Sequence, residues 1–328
     1  IMSIVVLKFG GTSLRNLNKD SHILKHIRKS IEKGETPVLV VSAIGRYGDP
    51  YATDTLIKQL EQIDPKIDPK KKDLIMSCGE TISTAIVSHL LESNNISSEP
   101  LTGFQAGILT DDNFNSAEIL DIDVSTIKEY IKEGKIVVVA GFQGITEKKE
   151  IATLGRGGSD ITAIALGGYL NAKRVDIFTD VPGVALIDPK LVPYTKYIRN
   201  ISYDNMYKLA ARGAKVIHPK SVLYAKKFNM PVRVTSTFLD VEGTLISNEG
   251  SQEKIIGIAV YNKEGTSVFY IVFNRKYRKV VMDKIKNFTD KNRPSLLDVG
   301  FSEESITIKT NTSKPADFAQ SLYNSIIE

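Results

Sequence analysis

The sequence predicts an α/β fold with a mainly parallel central sheet, and three observations support this. Apolar runs rich in β-branched residues at 4–9 and 38–41 flank a stretch at 17–32 with apolar residues at helical spacing, the order of a strand–helix–strand unit. Mostly apolar runs follow at 135–140 and 174–178, as expected of strands covered on both faces. The length of 328 residues favours two domains.

Composition argues against several classes of protein. Lys and Arg number 43 against 38 Asp and Glu, and the basic stretches at 66–72 and 275–286 show no aromatic stacking pattern. We therefore expect no nucleic-acid partner. The single cysteine, Cys78, excludes an intramolecular disulfide and has no zinc-ligand spacing with the four histidines, so no metal site is predicted. His22 and His26 are expected at the surface.

The sequence gives no sign of a membrane segment. No apolar run approaches the roughly 20 residues that a bilayer span needs. The N-terminus is strand-like from Ser3 and lacks a basic region ahead of an apolar one. We expect a soluble, cytoplasmic protein without a membrane partner.

The motif GRGGSD at 155–160 predicts an anion site. Its three glycines let the backbone approach a ligand closely, and a helix that begins at Ser159 or Asp160 would point free N–H groups at an anion. Arg156 offers a planar fork suited to a carboxylate. The alternative interpretation is a strand-to-helix turn in which Asp160 only caps the helix.

The first strand delivers Lys8 to a glycine turn, GGTS at 10–13. In a nucleotide-binding chain, the N–H groups and hydroxyls of such a turn would surround the terminal phosphates while Lys8 neutralises them. The lysine precedes the glycines, so the turn is not a Walker A loop.

Further polar residues stand at strand ends and on a helix. Ser42 follows the run at 38–41, where open α/β sheets place their ligands. Thr179 and Asp180 follow the run at 174–178 and could contact an adenine or ribose, or cap a turn. Glu80 lies on the apolar helix predicted at 70–91, where it either meets a cation such as an α-amine or is a solvated helical Glu.

Four ordered motifs resemble those of aspartate kinases, in the amino acid kinase superfamily: KFGGTS at 8–13, GRGGSD at 155–160, TDVPG at 179–183 and GAKVIHP at 213–219. The similarity extends over residues 4–246. It implies a three-layer αβα amino acid kinase fold and ATP-dependent phosphorylation of the side-chain carboxylate of L-aspartate. The products would be 4-phospho-L-aspartate and ADP, at the first step toward lysine, threonine, methionine and diaminopimelate.

The resemblance also implies roles for individual residues. Lys8 would contact the transferred phosphate, and Asp160 would orient Lys8 and Lys215. Glu80 and Arg156 would hold the amine and the α-carboxylate of the substrate. The same pocket would be lined by Ser42, Thr53 and Ser159. Nucleotide contacts would come from Lys8, Gly10, Gly11, Ser13, Thr179, Asp180, Lys190, Lys215 and Val216. A carboxylate nucleophile needs no general base, and Mg²⁺ would arrive with ATP.

Two positions depart from the family pattern. Ala185 stands where an aromatic residue is usual, and Lys190 stands in place of an arginine. Base stacking and one phosphate contact are therefore weakened, which predicts a lower affinity for ATP.

The C-terminal part resembles a single, atypical ACT-like α+β module. Catalytic residues 1–246 would be joined through a linker at 247–254 to a module at 255–328. The module lacks the glycine-rich ligand loop expected after its first strand. It is expected to serve regulation or dimerisation, in a homodimer or higher homo-oligomer.

Other functions remain open from the sequence. Kinases of the same superfamily act on glutamate, acetylated amino acids, UMP or carbamate. The pair Glu80 and Arg156 favours a substrate with both an amine and a carboxylate, and it does not separate aspartate from glutamate. A different class, a catalytically weak amino-acid sensor or binding subunit, is suggested by Ala185 and Lys190.

Overall fold

A computed structural model describes residues 3–327. Within it the chain divides into two compact units, Ile1–Pro182 with Tyr224–Val241 and Gly183–Leu223 with Glu242–Glu328. This division differs from the predicted boundary at residue 246. The functional domains expected at 1–246 and 255–328, with their linker at 247–254, stay a prediction.

The helices and strands are numbered in chain order. The helices are α1 (His22–Glu32), α2 (Thr53–Glu61), α3 (Pro69–Glu92), α4 (Ser125–Lys132), α5 (Gly158–Tyr169), α6 (Tyr203–Ala210), α7 (Pro219–Lys227), α8 (Arg278–Asn292) and α9 (Pro315–Ile327). The strands are β1 (Ser3–Phe9), β2 (Glu35–Val41), β3 (Ser98–Leu101), β4 (Ile108–Thr110), β5 (Ile119–Ile122), β6 (Ile136–Ala140), β7 (Gln143–Thr146), β8 (Ile151–Thr153), β9 (Val175–Thr179), β10 (Asn200–Ser202), β11 (Val232–Ser236), β12 (Thr244–Ser247), β13 (Ile255–Lys263), β14 (Thr266–Phe273), β15 (Leu296–Phe301) and β16 (Ser305–Thr310).

Six strands of the first unit form a parallel sheet in the order β3-β6-β2-β1-β9-β11. Phe9 at the end of β1 pairs with Val41 on one side and with Phe178 on the other. The carboxyl ends of neighbouring strands therefore meet at one edge, the edge at which α/β sheets bind ligands. The predicted α/β fold with a mainly parallel sheet is confirmed.

Alternation along β1 separates the two faces of this sheet. Val5, Leu7 and Phe9 lie in a buried cluster with residues of α1 and α3. Since side chains alternate along a strand, Lys8 points to the opposite face. Helix α5 contacts β1, β2 and β9 there. Helices thus cover both faces, and a single lysine on the α5 side interrupts an otherwise apolar strand.

Helix α3 is long and apolar enough, by length and composition, to cross a membrane. The sequence shows no continuous apolar run here, because polar residues interrupt the apolar ones. Eleven residues of α3 are buried within the protein, including the acidic residues Asp73 and Glu80. Burial of that kind is what the central helix of a folded core shows.

A second, four-stranded sheet in the first unit has the order β5-β4-β7-β8. This sheet was not predicted from the sequence, because each of its strands is only three or four residues long. β8 ends at Thr153, two residues before the GRGGSD motif. This sheet therefore delivers the chain to the candidate anion site.

In the second unit, a short strand leads directly into helix α6. Residues Asn200–Ser202 form β10, which pairs in parallel with β12. The Ser202 side chain then accepts a hydrogen bond from the Asn205 N–H at 3.2 Å and caps α6. This N-cap separates the strand from the helix.

The C-terminal strands form an antiparallel sheet in the order β13-β14-β16-β15. Helices α8 and α9 pack against each other, and the Phe318 ring lies 5.0 Å from Phe269 and 5.2 Å from Phe288 between ring centroids. The module thus contains both strands and helices, as expected of an α+β unit. The ACT-like character of this module stays a prediction.

A buried ionic network crosses β2, β9 and β11 of the first unit. Arg174 Nη1 lies 2.5 Å from Glu35 Oε1, and Arg174 Nε lies 3.0 Å from Asp176 Oδ2. Arg233 Nη2 is 2.7 Å from the same Asp176 oxygen. The hydrogen bond from Arg174 lowers the pKa of Glu35 to about 2, although burial opposes this shift. The ionised Glu35 therefore stabilises the folded state.

We predict that Glu35→Gln lowers the free energy of unfolding by about 2 kcal/mol at pH 7, because Arg174 loses its charged partner. A carboxyl whose pKa falls on folding stabilises the protein above its unfolded pKa of 4.5, and that stability disappears as the pH falls toward 2. The difference between the two proteins should therefore shrink over this range in urea unfolding.

Glu99→Gln is the matched control, since the Glu99 and Lys135 side chains are 28% and 29% exposed. It should cost less than about 1 kcal/mol. A difference between Glu35→Gln and the unchanged protein that stays constant from pH 7 to pH 3 would contradict the assignment.

Candidate active site

A cavity of about 390 Å³ lies at the carboxyl ends of β1, β2 and β6 and at the amino end of α5. Eight residues predicted to form the site line it together. They are Lys8, Gly11, Ser42, Thr53, Glu80, Arg156, Ser159 and Asp160. The structure therefore brings the two glycine motifs, which are more than a hundred residues apart in the sequence, to one place with the long helix α3.

Lys8 and Asp160 form an ion pair in this cavity. Lys8 Nζ lies 2.7 Å from Asp160 Oδ1, and each side chain is 12% exposed. Asp160 Oδ1 accepts no hydrogen bond of good geometry from residues 3–327, so attraction between the charges holds the pair. The pair fixes the ammonium group of β1 against the first turn of α5, where the free N–H groups also favour an anion.

In the GGTS turn, Gly11 leaves no room for a side chain. A Cβ on Gly11 would lie 2.5 Å from the Gly45 carbonyl oxygen and 2.6 Å from that of Ala43. The Gly11 carbonyl oxygen accepts a hydrogen bond from the Gly45 N–H at 2.9 Å. The turn continues as a short 3₁₀ helix, Gly11–Leu14, in which Ser13 is buried. Backbone of the turn therefore packs directly on the chain that follows β2.

Glu80 is 3% exposed and belongs to the wall of the cavity. Its Oε1 atom accepts a hydrogen bond from the Ala43 N–H at 3.1 Å, and its Oε2 atom has no hydrogen-bond partner among residues 3–327. Burial raises the pKa of Glu80 to about 8, although the bond from Ala43 and the charge of Lys8 act in the other direction. The interpretation of Glu80 as a solvated helical residue was wrong.

Gly79 explains how α3 comes so close to the site. A Cβ at this position would lie 2.7 Å from the Ala43 Cβ and 2.9 Å from the Tyr51 carbonyl oxygen. Any larger residue would push the helix away from the end of β2. The glycine costs helix stability, and it brings the next residue, Glu80, to the cavity.

The GRGGSD motif forms a tight turn in front of α5. Gly155 and Gly157 have φ values of 74° and 73°, in the left-handed region that glycine tolerates best. Gly157 caps the helix, which begins at Gly158, one residue earlier than predicted. Arg156 is exposed and forms no ion pair with the residues that the structure describes. Its guanidinium is thus available to a ligand in the cavity.

Sequence reasoning missed Asp73, a fully buried residue on α3. Its carboxylate accepts hydrogen bonds from the Thr153 N–H at 2.8 Å, the Thr153 hydroxyl at 2.7 Å and the Asn115 N–H at 2.9 Å. Burial raises the pKa of Asp73, and these hydrogen bonds oppose the shift. Asp73 thereby holds β8 in place just before the turn that carries Arg156. Its spacing in the sequence carries no signal, since Thr153 lies 80 residues away.

The loop between β2 and α2 contributes Arg46 to the cavity wall. Arg46 Nη2 lies 2.5 Å from Asp180 Oδ2, at the end of β9. Thr53 is the first residue of α2, which has Ala52 at its N-cap position. Gly10, Ser13, Thr179 and Asp180 belong to the same unit but lie outside the cavity wall.

The remaining predicted nucleotide contacts are Lys190, Lys215 and Val216, which belong to the second unit. Lys190 and Lys215 are exposed. The Lys190 N–H donates to Asp188 Oδ1 at 2.9 Å within a local turn. Their part in a nucleotide site stays a prediction.

Similarity to known proteins agrees with this geometry. The family model described as Amino acid kinase family matches residues 3–236. The chain belongs to the amino acid kinase family. The match spans all six strands of the parallel sheet and both glycine motifs.

The curated relatives in this family are aspartokinases. Aspartokinase 1 of Bacillus subtilis (strain 168) is 42% identical over 270 residues, which cover 82% of this chain and 66% of the relative. Aspartokinase of Geobacillus stearothermophilus is 38% identical over 291 residues, covering 84% of this chain and 70% of the relative. The chain thus spans about two thirds of the length of these relatives.

Solved structures show the same fold. E. coli aspartokinase III, in complex with aspartate and ADP in the R-state, matches with a TM-score of 0.76 at 20% identity, over 99% of this chain and all of that one. Aspartate kinase of Clostridium acetobutylicum matches with a TM-score of 0.73 at 19% identity, over 98% of this chain and all of that one. The amino acid kinase fold expected from the sequence is confirmed.

We predict that Glu80→Gln stabilises the ligand-free protein at alkaline pH. A carboxyl whose pKa rises on folding gives its full stability below the unfolded pKa of 4.5, and this stability is lost as the pH rises toward 8. Glutamine never ionises and escapes the loss. Unfolding midpoints of both proteins, measured from pH 5 to pH 9, should therefore diverge by several degrees as the pH rises.

The variant Glu99→Gln controls for the general effect of removing a negative charge. Its unfolding midpoints should show the same pH dependence as those of the unchanged protein. Parallel pH profiles for Glu80→Gln and the unchanged protein would show that Glu80 is ionised in the free site at all these values.

Proposed function

We propose that this chain is an aspartate kinase, which transfers a phosphoryl group from ATP to the side-chain carboxylate of L-aspartate and releases 4-phospho-L-aspartate and ADP. One observation carries the proposal. Glu80 is a buried carboxyl with one oxygen that has no hydrogen-bond partner among residues 3–327, and it lines the same cavity as the exposed Arg156 and the Lys8–Asp160 ion pair. An amine, an α-carboxylate and a phosphoryl group each find a matching group there.

The acceptor binds through its two charged ends. The α-amine meets Glu80 Oε2, which then ionises, and the α-carboxylate meets the Arg156 fork. Ser42, Thr53 and Ser159 line the remaining wall. These contacts leave the side-chain carboxylate as the free nucleophile.

The chemistry relies on position and charge. The acceptor carboxylate is ionised at neutral pH, so the chain supplies no general base. Lys8 neutralises the transferred phosphoryl group while Asp160 holds its ammonium in place. Free N–H groups at the start of α5 add positive potential where the charge develops.

The donor is ATP, with Mg²⁺ carried in by the nucleotide. Gly10, Gly11 and Ser13 surround its phosphates, and Thr179 and Asp180 contact its nucleoside. The resemblance to aspartate kinases assigns further nucleotide contacts to Lys190, Lys215 and Val216. This assignment is supported by the family match and by the ADP in the complex of E. coli aspartokinase III.

The wider setting follows from the same proposal. The reaction opens biosynthesis of lysine, threonine, methionine and diaminopimelate in the cytoplasm. The C-terminal module, in the role of a single ACT-like unit, serves dimerisation or regulation in a homo-oligomer. The similarity to aspartokinases supports this setting.

Turnover with a trap for acyl phosphates tests the proposal. Purified protein with Mg·ATP and hydroxylamine should release ADP and form a hydroxamate with L-aspartate, and not with L-glutamate, N-acetylglutamate or UMP. Arg156→Lys should raise KM for aspartate roughly 10- to 100-fold, because a lysine replaces two parallel hydrogen bonds with one. Glu80→Gln should have a similar effect, and the control Glu99→Gln none.

The outcomes separate the alternatives. Turnover with another acceptor would place the chain among the other small-molecule kinases of the family. Aspartate binding without turnover would identify an amino-acid sensor. Equal KM values in Arg156→Lys and the unchanged protein would remove Arg156 from the acceptor site.

A further inference from the structure

Thr237 stands directly after β11 and contacts three parts of the first unit. Its Oγ1 atom lies 2.5 Å from Ser13 Oγ, and its backbone N–H donates to the Thr179 carbonyl oxygen at 2.8 Å. Its own carbonyl oxygen lies 2.8 Å from His26 Nε2. Thr237 is 1% exposed, so each contact is shielded from water.

The chain turns here for a local reason. Ser236 Oγ accepts hydrogen bonds from the N–H groups of Phe238 and Leu239, each at 3.1 Å. This side-chain turn ends β11 and leaves the groups of Thr237 free to bind elsewhere. The turn sets Thr237 between the GGTS turn and the end of β9.

The third contact of Thr237 is the hydrogen bond between its carbonyl oxygen and His26. A carbonyl oxygen can only accept, so Nε2 of His26 carries the hydrogen. Burial lowers the pKa of His26, although the bond to Thr237 opposes the shift, and the ring packs 4.3 Å from the Phe178 ring between centroids. The expectation that His26 is a surface residue was wrong.

We propose that Thr237 is a positioning residue of the nucleotide site, which holds Ser13 through its hydroxyl and the Thr179 strand end through its N–H. The inference rests on the proposed function, because Ser13 and Thr179 are nucleotide residues only if the chain binds ATP. It adds a residue to which no role has been assigned above.

The hydrogen bonds of Ser13 explain the effect on a phosphate. The Ser13 N–H already donates to the Gly10 carbonyl oxygen at 3.0 Å, so its hydroxyl is the group left for a ligand. Only one proton lies between the two hydroxyl oxygens. With Thr237 as the donor, the Ser13 proton points to the phosphate, and the loss of Thr237 Oγ1 leaves Ser13 without this orientation.

The test compares Thr237→Val, Thr237→Ser and Thr235→Val with the unchanged protein. Thr235 is the matched control, since it is a buried threonine two residues away whose hydroxyl donates to the Val241 carbonyl oxygen. Calorimetry gives the dissociation constant of Mg·ADP, and steady-state turnover gives kcat and the KM for each substrate.

Thr237→Val should weaken Mg·ADP binding and raise KM for ATP by roughly tenfold, with KM for aspartate and kcat within about twofold. Thr237→Ser keeps the hydroxyl and should restore both values, and Thr235→Val should match the unchanged protein. A general structural defect would instead change both KM values together. Thr237→Ala serves the same comparison if valine prevents folding.

Unchanged Mg·ADP affinity in an active Thr237→Val protein would overturn this inference alone. An equal loss in Thr235→Val would overturn it too. If the unchanged protein neither binds Mg·ADP nor turns over, the proposed function fails and this inference falls with it.

Discussion

Parallel strands that end along one edge are the constraint on which the candidate site depends. Lys8 comes from β1, Ser42 follows β2, and the motif with Asp160 opens the helix opposite them. Because all six strands of this sheet run the same way, their ends and the amino end of α5 meet without any long loop. Positively and negatively charged side chains thereby line a single cavity of about 390 Å³.

Close packing of the backbone lets these charged side chains come together. Gly11 lets the GGTS turn lie on the chain after β2, and Gly79 lets α3 reach the same place. The approach of α3 removes Glu80 from water, which raises the pKa of Glu80 and leaves one oxygen unpartnered among the residues described. The free site thus holds a neutral, protonated carboxyl, which an ammonium group would cause to ionise.

The sequence predicted the parts of the site that are local. Lys8 stands just before two glycines, and Arg156 stands within a glycine turn, so each motif of six residues contains its own charged group. Both side chains line the cavity. Contacts between distant residues were not predictable. Asp73 meets Thr153 across 80 positions and Ser13 meets Thr237 across 224, with no periodic pattern to mark either pair. The short strands of the second sheet could not be predicted for a related reason. Three residues are too few to show an alternation of apolar and polar side chains.

Proton release on binding of L-aspartate tests the central claim most directly. Calorimetry in buffers of different ionisation enthalpy counts the protons. If an α-amine meets Glu80, binding should release close to one proton near pH 7, about half near pH 8, and almost none above about pH 9. Glu80→Gln should release none. Binding without proton release at pH 7 would contradict the account.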